Sequence, residues 1–121
     1  MSNHYLTKQV WTILVRAASD RQTLTYTELA EQLRDESANI IARAVPQFLN
    51  PIQDYCDQHG LPRLNDLVVS KQRGWPNYDP GPGYDFATAR EKVFAFDWTA
   101  IKVTMSDFAK AETKAKAGTA R

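Results

Sequence analysis

Leu64-Asn65-Asp66-Leu67-Val68-Val69-Ser70, followed directly by Lys71-Gln72-Arg73-Gly74, is an apolar run that ends in a basic, glycine-closed turn. Branched aliphatic residues bounded by turn residues predict a β-strand, and this is the clearest strand in the chain. Upstream of it the periodicity is helical. From Tyr5 to Ala18, Leu6, Val10, Trp11, Ile13, Leu14, Val15 and Ala17 recur mostly at three- and four-residue spacing, which predicts an amphipathic helix. Asp20-Arg21-Gln22 interrupts it, and Thr23-Leu24-Thr25 reads as a short extended link. Thr25 with Glu28 three residues later is a capping box that opens a second, short helix from Tyr26 to Leu33. Ser37 stands where it could cap a third helix through Ile40, Ile41, Ala44 and Val45. Pro46 and Pro51 each remove a backbone donor, so that stretch is expected to break or kink before His59, with Gly60 as its stop.

Downstream, the stretch from Arg73 to Tyr84 contains Pro76, Pro80, Gly81, Pro82 and Gly83, which predicts a long loop. Helical spacing resumes with Phe86, Ala89, Val93 and Phe96. Trp98 to Val103 is ambiguous between strand and helix, and Met105 to Lys116 is helix-prone. The tail from residue 118 to 121 is expected to fray. The order of helix, short helix, helix, strand and basic turn is that of a winged helix-turn-helix, in which one helix enters a groove and a β-wing touches the backbone. The chain is therefore expected to be a mostly helical α+β domain, residues 1 to 121. Its winged-helix-like core would span about residues 5 to 84 and its helical extension residues 85 to 117.

Composition bounds the partners. The 121 residues carry 15 Lys and Arg against 14 Asp and Glu, a net charge of +1, which excludes a strongly basic wrapping protein and an acidic DNA mimic. Hydrophobic residues at 43% and charged ones at 24% are ordinary for one globular domain with a sizeable core. The near-neutral total hides separated patches: residues 22 to 60 are net acidic, whereas residues 61 to 76 and 102 to 121 are net basic. No apolar run reaches the roughly 20 residues that span a bilayer, and Met1-Ser2-Asn3-His4 lacks a secretion signal's layout, so a soluble, cytoplasmic protein with no membrane partner is expected. The lone Cys56 allows no intrachain disulfide.

A family likeness lies in short pieces that occur in order. Val10-Trp11 with Leu14, then Thr25-Tyr26-Thr27-Glu28-Leu29-Ala30, Ala42-Arg43-Ala44-Val45 and Asn50-Pro51, then Leu61-Pro62 running into Val68-Val69-Ser70 and Gly74, together resemble one domain. It is the DNA-binding domain of the O6-alkylguanine-DNA alkyltransferases and alkyltransferase-like proteins, and the likeness covers about residues 8 to 74. It implies that Tyr26 helps turn a target nucleotide out of the stack and that Arg43 fills the gap. That family's reactive segment is Pro-Cys-His-Arg before the Val-Val. Here Pro62-Arg63-Leu64-Asn65-Asp66-Leu67 stands in its place, with neither cysteine nor histidine, and Pro46 follows Ala44-Val45 where the family has a small residue. The resemblance thus implies a reader of duplex DNA that performs no alkyl transfer.

The expected DNA-binding residues are Tyr26, Arg43, Arg63, Lys71 and Arg73, since cationic side chains on a helix and a turn pair with phosphates and release counterions. Against this stand plainer roles: Tyr26 packing on Trp11 or Leu33, and Arg43 simply solvated. A second reading is a small regulator or inhibitor that grips a protein partner through Trp75, Tyr78 and Tyr84, because aromatic side chains dominate interface energies. The acidic segment from 22 to 60 favours it. The same loop aromatics could stack on bases or fold back over the core. Cys56-x-x-His59 offers only half a zinc site, with His4 the sole other histidine, so no metal and no cofactor are expected. Asp79 and Asp85 flank the loop without a partner base, so no catalytic residue is assigned and no enzyme is expected. The lysine-rich run from Lys110 to Lys116 reads as a solvated helix end or a basic tail.

Overall fold

The computed structural model describes residues 4–33 and 40–119, with side chains through residue 117. Helix α1 (His4–Ser19) turns Leu6, Val10, Trp11, Leu14 and Ala18 inward on one stripe, as the spacing predicts. It ends at Arg21, whose φ of 53° is left-handed; the Gln22 N–H then donates to the Ala17 carbonyl at 2.9 Å and closes the helix. Strand β1 (Leu24–Thr25) leads straight into α2 (Tyr26–Gln32). The capping box is formed: Glu28 N–H donates to Thr25 Oγ1 at 3.1 Å, and Thr25 N–H donates to Glu28 Oε1 at 2.8 Å.

Ser37 lies outside the described residues, as do Met1 to Asn3 and the last two residues of the tail. Where a helix is expected through Ile40 to Val45, the backbone at Ile41 is extended and only a 3-10 turn, Ala42–Ala44, forms. Helix α3 (Pro46–Gln58) starts later and runs further than the two prolines suggest. Pro46 occupies the first turn, where its missing N–H would have had no helical acceptor. Pro51 removes one internal bond, yet burial of Phe48, Leu49, Ile52, Tyr55 and Cys56 holds the helix to Gln58.

The expected strand from Leu64 to Ser70 shrinks to β2 (Val68–Val69), preceded by a 3-10 turn over Leu64–Leu67. The reason is burial. All four of Leu64, Asn65, Asp66 and Leu67 are buried, and an alternating strand would have pushed two of them outward. β2 pairs in parallel with β1, Leu24 beside Val68 and Thr25 beside Val69, so α2 and α3 form the crossover between them. Past β2 the chain turns tightly, Ser70 N–H donating to the Trp75 carbonyl at 2.8 Å around Gly74 (φ 72°). No antiparallel wing strand follows among the described residues. The segment to Asp85 has no regular structure until α4 (Phe86–Ala95); a 3-10 turn at Trp98–Ala100 resolves the ambiguous stretch, and α5 (Met105–Thr119) completes the chain.

The molecule is thus mostly helical α+β. One hydrophobic cluster draws on every helix, with Trp11 at its hub: its ring meets Tyr55 at 5.7 Å, Trp98 at 5.6 Å and Phe108 at 5.8 Å between centroids. The first two contacts are edge-on and the third is tilted, and edge-on pairs add to what the buried area alone contributes. Among the described residues no helix is long and apolar enough to cross a membrane.

Candidate functional site

The capping box sets Tyr26 at the first position of α2, half-buried, with its ring against the core and its hydroxyl directed at the loop after β2. That hydroxyl accepts from the Asn77 backbone N–H at 2.9 Å, and Asn77 Oδ1 in turn accepts from Arg73 Nη1 at 3.4 Å. Between α3 and this loop lies a cleft of about 120 Å³, bordered by Tyr26, Pro46, Leu49, Asn50, Gln53, Asn65, Pro76, Asn77 and Tyr78. Asn65 is 5% exposed and donates from Nδ2 to Gln53 Oε1 at 2.9 Å. Its Oδ1 is buried with no hydrogen-bond partner among the described residues. No carboxylate, thiol or imidazole borders this cleft, so its chemistry is that of neutral amides, two phenols and apolar side chains.

Behind the cleft a second constellation fastens the loop. Asp66 is 1% exposed and accepts from the hydroxyls of Tyr78, at 2.7 Å, and Tyr84, through a short bond. Burial pushes its carboxyl above the ordinary range, while the two phenols and Arg63 oppose that rise. Burial and the adjacent carboxylate hold both tyrosines well above the usual phenol range, so they remain donors at neutral pH. Arg63 donates to the Asp57 carboxylate at 2.8 and 3.0 Å and to the Tyr78 hydroxyl at 3.1 Å, and it lies 4.7 Å over the Tyr84 ring. Burial alone would lower its pKa, but the bonds to Asp57 and Tyr78 outweigh it and raise the guanidinium above its usual range.

Phe86, at the start of α4, gathers the loop rings: Trp75 stacks on it at 6.2 Å, while Tyr78 and Tyr84 meet it edge-on at 5.5 and 5.6 Å. Arg90 covers the Trp75 ring at 4.4 Å and donates to the Gly74 carbonyl at 2.7 Å. The three aromatics expected to grip a partner therefore turn inward and are half-buried. Arg63, expected against DNA, has its charge paired with Asp57 instead. Arg43 is exposed on the 3-10 turn that packs between α2 and α3, and Lys71 and Arg73 are exposed in the turn after β2. Tyr26 and Arg73 meet at Asn77, and Arg43 lies on the turn just before Pro46 at the cleft's edge.

The remaining candidates have structural duties. Asp85 caps α4 through the Thr88 N–H at 3.0 Å, and Asp79 accepts from the Gly81 N–H at 2.9 Å. Cys56 is fully buried, and burial pushes its thiol up to about 12, which leaves little thiolate at neutral pH. His59 stacks on Tyr55 at 4.1 Å, and no cluster able to hold a metal occurs among the described residues. Sequence reasoning overlooked Gln53, Asn65, Asp66, Asn77 and Phe86. Asn65-Asp66 inside an apolar run was the available signal, since buried polar residues need partners.

No protein-family model matches the chain, and neither a curated protein nor a solved structure matches it.

Proposed function

We propose that this chain binds duplex DNA without performing chemistry on it, through the face that carries Tyr26, Arg43, Lys71 and Arg73. One observation carries the reading: a ring-sized cleft opens beside Tyr26, with exposed cations on the turns on either side of it. Cations at such positions pair with backbone phosphates, whereas an aromatic ring at a cleft mouth contacts bases. In this reading the helices α1 to α3 form a winged-helix-like core, and the Ser70–Trp75 turn serves in place of a wing. Tyr26 lies at the protein–DNA boundary, and Arg43 reaches into the duplex as the resemblance to alkyltransferase-like proteins implies. The chain then works as a cytoplasmic reader, since the residues that border the cleft supply no nucleophile.

The alternative, a protein partner held by Trp75, Tyr78 and Tyr84, is weaker because those rings are packed around Phe86. The test is binding of the purified protein to fluorescent duplexes, with and without an O6-alkylguanine, over a salt series. Salt-sensitive binding supports DNA recognition, and tighter binding to the modified duplex supports the alkyltransferase-like reading. Absence of binding at low salt sinks both.

A further inference from the structure

The basic turn after β2 is fastened from outside itself. Two backbone bonds close it, Ser70 N–H to the Trp75 carbonyl at 2.8 Å and Gly74 N–H to the Ser70 carbonyl at 2.7 Å, and neither uses the Gly74 carbonyl. Arg90, from α4, supplies that carbonyl with its partner: Nη2 donates to it at 2.7 Å, and the guanidinium lies 4.4 Å over the Trp75 ring. Phe86, four residues earlier and so on the same face of α4, stacks on that ring as well. Further along, the Asn77 N–H donates to the Tyr26 hydroxyl at 2.9 Å. Between β2 and these two fastenings, Lys71, Gln72 and Arg73 are exposed.

The contact has a cost. Arg90 Nε is buried without a hydrogen-bond partner among the described residues, and burial lowers the pKa of this guanidinium against the opposing pull of Asp66 and Glu91. An aliphatic side chain would cover Trp75 without that cost. What the guanidinium adds is direction, because a charged donor bonded to one carbonyl fixes the orientation of the turn as well as its burial. Lys71 and Arg73 depend on that orientation. A cation on an ordered turn meets a phosphate without losing entropy at the moment of contact, whereas ordering two long side chains on binding would weaken a complex by roughly fivefold or more.

We propose that Arg90 is a positioning residue: it fixes the Ser70–Trp75 turn and so presents Lys71 and Arg73 to the phosphates of a duplex. The presentation rests on the DNA-binding reading, whereas the fixing of the turn does not, and two readouts separate them. The first is a double-mutant cycle followed by fluorescence anisotropy. Arg90→Leu should weaken duplex binding about fivefold at an unchanged salt slope, and it should have no further effect once Lys71→Ala and Arg73→Ala are both in place. The second is amide hydrogen exchange, which needs no DNA. The Ser70 and Gly74 amides should exchange at least about tenfold faster in Arg90→Leu, while the amides of α1 and α3 keep the parent's rates. Circular dichroism confirms folding, and Arg90→Gln, shorter and still polar, replaces Arg90→Leu if that variant does not fold.

A salt slope lowered by about one unit, with a loss that adds to those of the two alanine changes, would make Arg90 itself a phosphate contact and overturn the proposal. An unchanged affinity overturns it as well, while DNA binding stands. If the parent binds no duplex at low salt, the DNA reading fails by itself and hydrogen exchange decides the remainder. Faster exchange confined to the turn sustains Arg90 as its anchor. Unchanged exchange rates overturn the proposal in every case.

Discussion

The Tyr78 hydroxyl donates to the Asp66 carboxylate at 2.7 Å, tying the middle of an irregular loop to a side chain that is 1% exposed. Tyr84 binds the other carboxylate oxygen, and Arg63 bridges Tyr78 to Asp57. The loop is therefore held by polar bonds made out of water, where each is worth more and each loss costs more than at the surface. Since Tyr78 and Asn77 also border the cleft beside Tyr26, the same anchor sets the cleft's shape.

Asp66→Ala leaves two phenols without their acceptor, and it should destabilise the fold by about 3 kcal/mol. Urea denaturation measures this. Limited proteolysis should also cut between residues 70 and 85 in the variant at protease levels that spare the parent. An unchanged midpoint and an unchanged cleavage pattern would show that the carboxylate does not hold the loop.

Asp66 has a pH signature. Its carboxyl is raised in the fold by burial, so the native state binds the proton more tightly than the unfolded chain, whose aspartates titrate near about 3.9. Its contribution is complete below that ordinary value and declines as pH rises through the raised one. Asp66→Asn lacks this decline, so its stability deficit relative to the parent should shrink as the pH is raised from acid towards neutral. A deficit that grows over the same range would contradict the direction of the shift.

On the DNA reading, Arg43→Ala and Lys71→Ala should each weaken duplex binding, and the lysine change should lower the salt slope by about one unit. Arg63→Ala should act differently. Its guanidinium is paired with Asp57 and covers Tyr84, so its loss should lower stability and leave the salt slope alone. Anisotropy titrations at several salt concentrations, with melting curves alongside, separate the two kinds of residue.

Cys56 should resist alkylation in the folded protein. With its thiol pushed up to about 12 and no exposure, reaction with iodoacetamide at pH 8 should be at least about a hundredfold slower than in concentrated urea. Comparable rates in both conditions would mean that the thiol is reachable in the native state.

Much of the fold is legible locally. The stripe of α1, the capping box before Tyr26, the irregular Pro/Gly segment and the helix from Phe86 all follow from spacing and turn chemistry within a few residues. Three readings fail for a common reason. Pro51 does not end α3, Leu64–Leu67 is a turn rather than a strand, and the strand that does form is only Val68–Val69, paired in parallel with β1. In each case burial against distant segments outweighs the local preference.

The candidate site divides along the same line. Tyr26 and the exposed cations Arg43, Lys71 and Arg73 are recognisable from their own neighbourhoods, because capping and turn formation depend on adjacent residues. The roles of Asn65, Asp66 and Arg63 are not. Their partners stand 6 to 18 residues away along the chain, and Tyr26 finds Asn77 51 residues away, so only packing shows which polar groups meet out of water. Sequence alone thus specifies α1, α2, α4, α5 and the cationic turns. The tertiary structure decides the rest: it turns the loop aromatics inward, ties Tyr78 and Tyr84 to Asp66 and pairs Arg63 with Asp57, because burial makes polar groups seek partners that local pattern cannot name.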